Sequence, residues 1–237
     1  MYAKPATPHP KARHRLPPTL VCVGVLATIW LWPAVAATPK ARPTLTAAAP
    51  SAGDAVLGKA KSETERCQEC HGADGQGNHA EPGAKFARLA GQYPEYLVKQ
   101  MRDFRSGARQ QDVMGIMARS VDAADVADIA AYFASLQKMR GEVGQVNAAG
   151  RNLYSHGDDK RGIVSCVQCH GDAGQGKSAG IETVPRVGGQ DSAYLERQLR
   201  DWRSGDRRNS TGEVMNRIAR SLTDADIKSL AHYLSEQ

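Results

Sequence analysis

Apolar residues recur along this chain at helical spacing, and they do so twice. Tyr96, Leu97, Met101 and Phe104 share one face of a helix that Pro94 opens at a first-turn position and Ser106-Gly107 closes. Tyr194, Leu195, Leu199 and Trp202 repeat that face before Gly205. A second amphipathic set, Val126, Ile129, Ala130 and Phe133, follows Asp122 as its capping residue, and its twin, Ile227, Leu230, Ala231 and Leu234, follows Thr223. Shorter helices are expected near residues 55–60 and 148–154. No alternating strand pattern flanks these segments, so the chain reads as all-α.

The repetition extends beyond the apolar faces. Leu89-Ala90-Gly91-Gln92 matches Val187-Gly188-Gly189-Gln190, and Ala118-Arg119-Ser120 matches Ala219-Arg220-Ser221. Solenoid repeats are far shorter than this offset of about 99 residues, which is that of a duplicated domain. The boundary belongs in residues 137–147, where Gly141 and Gly144 interrupt any periodicity. The expected order is an N-terminal domain over 54–138, a linker over 139–147 and a C-terminal domain over 148–237.

Charge placement changes the picture at the N-terminus. The chain carries 31 bases and 25 acids, but six of the bases and none of the acids fall in residues 1–50, so the remainder is neutral and offers no basic footprint for nucleic acid. The basic start precedes an uncharged stretch from Leu16 to Pro39, apolar from Thr19 to Trp32, then Pro33 and Ala34-Val35-Ala36. That order predicts an export signal over residues 1–36, cleaved after about Ala36, with a retained membrane anchor or a buried helix as the alternatives. Residues 37–53, rich in Ala, Pro and Thr, read as a flexible tether.

Five cysteines are too few for a disulfide framework, and Cys22 lies within the expected signal. The other four form Cys67-Gln68-Glu69-Cys70-His71 and Cys166-Val167-Gln168-Cys169-His170, two copies of the C-x-x-C-H pattern that attaches c-type haem. In that chemistry Cys67, Cys70, Cys166 and Cys169 bond the haem covalently, and His71 and His170 ligate iron. Structural zinc would need a second ligand pair in each half, and a dithiol oxidoreductase would need a βαβ setting; neither is present in the sequence. The glycines after each motif run G-x-x-G-x-G behind a helix, which is not a dinucleotide fingerprint. Only 5% of the residues are aromatic, a shortage that an apolar macrocycle in the core would make good.

Each iron has a second axial position. Met114 and Met215 occupy matching places in the repeat, each preceded by Val and followed by the Ala-Arg-Ser segment, and are assigned to it. Met117 aligns with Ile218 and reads as packing; Met101 and Met139 fall in helical or linker context; His79, His156 and His232 have no repeated counterpart. Arg207, Arg208, Arg217 and Arg220 surround Met215 where only Arg109 and Arg119 accompany Met114, so the C-terminal haem is expected to have the higher potential.

With these motifs in place, residues 53–236 resemble the dihaem cytochrome c4 family, built from two tandem class I cytochrome c domains. The resemblance implies a pseudo-twofold domain interface, two covalently bound haem c groups and periplasmic residence. It also implies single-electron transfer between respiratory-chain donors and a terminal oxidase or reductase, with redox proteins as partners and no catalytic residues. It further implies a backbone carbonyl orienting each ligating His, from Pro185 in the second half and from Ala87 in the first. The other reading is a cytochrome subunit, or a catalytic dihaem enzyme, associated with a periplasmic dehydrogenase. Membrane association through the N-terminus accompanies the anchor alternative.

Denaturing mass spectrometry is expected to give the chain beginning near Ala37 plus two haem groups, with one lost in a Cys67→Ala, Cys70→Ala variant. Release of both haems by acid-acetone would refute the reading.

Overall fold

The computed structural model describes residues 53–78, 86–144, 146–179 and 182–237. The expected signal, the expected tether up to residue 52, Cys22 and His79 lie outside them. Among the described residues there is no β-strand beyond isolated bridges, and no helix is long and apolar enough to cross a membrane.

Five helices repeat in order. The first half holds α1 (Ala55–Thr64), α2 (Cys67–His71), α3 (Pro94–Ser106), α4 (Asp112–Ser120) and α5 (Asp125–Ser135). The second holds α6 (Ala148–His156), α7 (Val167–His170), α8 (Ser192–Ser204), α9 (Val214–Ala219) and α10 (Asp224–Ser235). In each half the first helix packs on the last, and the third packs on the last two.

The ends of these helices follow from short polar side chains. Asp54 accepts from the amides of Val56 and Leu57 at 2.7 and 3.1 Å, Asn147 from Gly150 at 2.8 Å, and Asp191 from Tyr194 at 2.7 Å. Thr223 and Asp226 form a reciprocal capping box at the start of α10. Asp122 does not cap α5, contrary to expectation. Its carboxylate takes the Ala124 amide at 3.0 Å in a turn ahead of the helix, which starts at Asp125 behind Ala124 with no side-chain cap. The first helices of the two halves run about one turn and half a turn further than expected, to Thr64 and His156.

The helices carrying Met114 and Met215 went unread in the sequence. They are short, and α4 is capped by Gln111, whose amide oxygen takes the Met114 N–H at 2.6 Å, while α9 has no side-chain cap. Neither start has a usual capping signature.

The two cores differ in size. Leu97, Ala130, Tyr132 and Phe133 are buried in the first, with Cys67 and Leu89 packed against them. The second is larger and centres on Tyr154, Ile163, Trp202, Ile227 and Leu230. At each crossing of first and last helix a glycine lets the backbones touch. A β-carbon on Gly58 would lie 1.9 Å from the Asp128 carbonyl oxygen, and one on Gly150 would lie 2.0 Å from that of Ser229.

Gly150→Ala is therefore expected to force α6 off α10 and cost about 2–3 kcal/mol, read as a lower denaturant midpoint. An unchanged midpoint would show that this crossing is not tight.

Candidate haem sites

Each attachment motif occupies a single helical turn. Arg66 enters α2 in the left-handed region at φ 59° and clamps Glu69 with two bonds of 2.7 and 2.8 Å, fixing the turn that presents Cys67 and Cys70. All four motif cysteines are free thiols. Burial pushes the Cys67 and Cys166 thiols up to about 11, so they are protonated at neutral pH, the opposite of the lowered thiol that dithiol oxidoreductases use.

His71 and His170 close these turns. Their Nδ1 atoms donate to the carbonyl oxygens of Ala87 at 2.8 Å and Pro185 at 3.1 Å. Each bond places the ring proton on Nδ1 and leaves Nε2 with a free lone pair, and burial pushes both imidazoles below the usual histidine value, keeping them neutral. Ala87 thus performs the task that proline performs in the other half.

The glycine run brings those carbonyls into place. Gly77 donates back to the His71 carbonyl at 2.8 Å and Gly176 to that of His170 at 2.7 Å. The Gly75 carbonyl then accepts from Leu89 and Ala90, and the Gly174 carbonyl from Val187 and Gly188. At Gly75 and Gly174 φ is +69° and +65°, and a β-carbon would stand 2.9 and 2.5 Å from the amide of Ala90 and of Gly188. The turn is braced by Tyr132, whose hydroxyl donates to the Ala73 carbonyl at 2.6 Å, and in the second half by Tyr154 on the Gly171 carbonyl at 2.5 Å.

Met215 is half-buried in α9 and packs against the same core cluster as Cys166 and Val167. Met114 is half-buried in α4, outside the packed cluster that includes Cys67. Around both methionines apolar side chains stand uncovered: Val113 and Ile116 are 55% and 62% exposed, Val164 and Val214 51% and 38%. Val164, two residues before Cys166, and Val214, beside Met215, line one cavity of about 340 Å3 with Gly162, Arg217 and Ile218. A second hollow of about 430 Å3, on the charged face of α8 around Glu196, Arg197 and Arg200, presents no iron ligand. Free thiols, neutral imidazoles with Nε2 available and uncovered apolar side chains beside the thioethers fit a covalently held haem. Among the described residues no three His, Cys, Asp or Glu side chains converge as a metal cage.

Three further sulfur and imidazole groups among the described residues have partners of their own. Met139 is buried and its Sδ accepts from Gln190 Nε2 at 3.4 Å; His156 Nδ1 lies 3.2 Å from the Asn152 carbonyl, and His232 stands 3.3 Å from Glu236.

The interface between the halves is a set of crossed, pseudo-twofold hydrogen bonds. Gln92 accepts from the Arg186 amide at 3.0 Å and donates to its carbonyl at 2.9 Å, while Gln190 does the same with Arg88 at 2.8 and 2.9 Å. Arg109 reaches Tyr194 and Gln198 across the axis, and Arg207 reaches Tyr96 and Gln100. Arg207 is therefore the twin of Arg109 and sets neither half apart; of the arginines flanking Met215, Arg208 and Arg217, both exposed, have no counterpart beside Met114. Sequence reasoning placed Tyr96 and Tyr194 on helix faces and missed their hydroxyls. The available signal was the recurrence of Arg, Gln, Tyr, Gln and Arg at 88, 92, 96, 100 and 109 as the same residues at 186, 190, 194, 198 and 207.

Known proteins carry the same arrangement. The cytochrome c family model matches residues 55–137 and again 148–237. Cytochrome c4 of Pseudomonas aeruginosa is 40% identical over 80% of this chain and 92% of its own. The thiosulfate dehydrogenase electron acceptor of Thiomonas intermedia is 37% identical over 78% of this chain and 85% of its own. The crystal structure of reduced recombinant cytochrome c4 from Pseudomonas stutzeri superposes with a TM-score of 0.70 at 34% identity, covering 78% of this chain and 99% of that one. Two tandem family matches, relatives aligned across both halves and a shared all-α fold place the chain in the cytochrome c family, among the cytochromes c4: it is a dihaem electron-transfer protein with a covalent haem c in each half.

Proposed function

We propose that Cys67, Cys70 and His71 hold one haem with Met114 as its second axial ligand, and that Cys166, Cys169, His170 and Met215 hold the other. The reading is supported chiefly by the pair of imidazoles fixed through Nδ1 on backbone carbonyls, each leaving Nε2 for iron. Haem c, when bound, supplies an iron that gains and loses one electron. A neutral imidazole and a soft thioether favour the ferrous state, giving a higher potential than two imidazoles would. With both axial positions taken by the chain, no position is left for a substrate, which supports a carrier rather than a catalyst. In this reading residues 1–36 direct export, residues 37–53 form a tether, and the two domains, 54–138 and 148–237, work in the periplasm between respiratory donors and a terminal oxidase or reductase.

Met114→Ala and Met215→Ala are each expected to make one haem of the two bind carbon monoxide readily, while Met117→Ala leaves both closed. Opening by Met117→Ala but not by Met114→Ala would move the N-terminal ligand one turn along α4.

A second reading has an observation behind it. Two relatives, in Thiomonas intermedia and Stutzerimonas stutzeri, are thiosulfate dehydrogenase electron acceptors, at 37% and 36% identity. The same iron ligands would serve a protein that takes electrons from one dehydrogenase. Affinity purification from the native host separates the two: a diffusing carrier is expected to elute alone at moderate salt, and stoichiometric recovery with a dehydrogenase would establish the dedicated acceptor.

A further inference from the structure

Arg109 and Arg207 follow the left-handed glycines that end α3 and α8, and they meet across the pseudo-twofold axis as an isolated antiparallel bridge. They are 7% and 6% exposed. Each guanidinium lies over an aromatic ring of its own half, 4.5 Å from the centre of Phe104 and 4.3 Å from that of Trp202. Among the described residues neither has a carboxylate within ion-pairing distance.

Their partners are neutral and shared. Gln198 Oε1 accepts from Arg109 Nη2 at 2.7 Å and from Arg207 Nη1 at 2.6 Å. Gln100 Oε1 accepts from Arg109 Nη1 at 2.8 Å and from Arg207 Nη2 at 3.3 Å. The hydroxyls of Tyr194 and Tyr96 accept at 2.9 and 3.1 Å, and Asn209 Oδ1 accepts from Arg207 Nε at 3.0 Å. The nearby carboxylates are engaged or distant: Asp103 is held by Lys99 and Asn209, and Asp201 lies 3.9 Å from Arg197. Two like charges are thus fixed side by side in the interior by neutral side chains drawn from both halves.

Oxidation of a haem iron adds one positive charge. A buried cation opposes that step, and in a low-dielectric interior salt does not screen it away. The two guanidiniums hang from the same two glutamine oxygens, one from each half, so neither belongs to one half alone. We propose that Arg109 and Arg207 act as a single shared cation pair that raises the reduction potentials of both haems, each arginine influencing the opposite half as well as its own. These are positioning and charge-setting residues, and the proposal rests on the haem assignment above.

Spectroscopic redox titration of the holoprotein tests it. Two one-electron waves in the wild type establish haem loading first; their absence would fail the haem assignment and not this proposal. Arg109→Gln is expected to lower both midpoint potentials, and Arg109→Lys, which keeps the charge, to leave both near wild type. The Arg109→Gln shift should persist at 0.5 M salt, whereas the shift from exposed Arg208→Gln should fade. Movement of only one wave, of neither, an equal fall in the Lys variant, or loss of the shift in salt would each overturn the proposal. If Arg109→Gln does not accumulate as holoprotein, Gln100→Glu places a counter-charge between the guanidiniums without removing either. It too should lower both potentials, and unchanged waves there would be equally decisive against the pair.

Discussion

The hydrogen bond from the imidazole of each C-x-x-C-H motif to a backbone carbonyl organises more of this molecule than its size suggests. His71 is held by the carbonyl of Ala87, and the next amide, that of Arg88, is held by Gln190 of the other half. His170 is held by the carbonyl of Pro185, and the next amide, that of Arg186, is held by Gln92. The support of each motif histidine and the domain interface fall on consecutive residues, in both halves. The glycine wraps after the motifs exist to return the chain to this point, and the tyrosines of α5 and α6 hold the wraps closed.

Covalent attachment and a small protein core belong to the same economy of structure. The first half buries a handful of large apolar side chains, and several apolar residues beside Met114 are left facing outward. A domain of this size depends on apolar area from another source, and a macrocycle tied by two thioethers supplies it. The halves have diverged within this plan. Tyrosine braces the wrap from the last helix in one half and from the first helix in the other, and only α10 begins with a capping box.

Much of this was legible because the signals were local and doubled. Two helical faces with matching ends, two C-x-x-C-H motifs and a fixed offset between them specify duplicated all-α domains and their haem chemistry with little help from tertiary structure. Helices α4 and α9 were not legible, because they are short and have Gln111 and Glu213, not common capping residues, at their N-cap positions. The cap assigned to Asp122 failed because an Asx turn on Ala124 competes for the same carboxylate. The interface escaped for a different reason. Gln92, Gln100 and Arg109 are polar, and a polar residue reads as exposed unless its partner is known; here the partners across the interface lie about a hundred residues away.

The crossed glutamines also bear on how separable the halves are. Cut at the linker, each would present a buried-type arginine amide with no acceptor, a glutamine with nothing to grip and a guanidinium stripped of half its bonds. The duplication has therefore produced something other than two beads on a string. Each copy completes the other's frame, so a change at 88–92 is felt at 186–190.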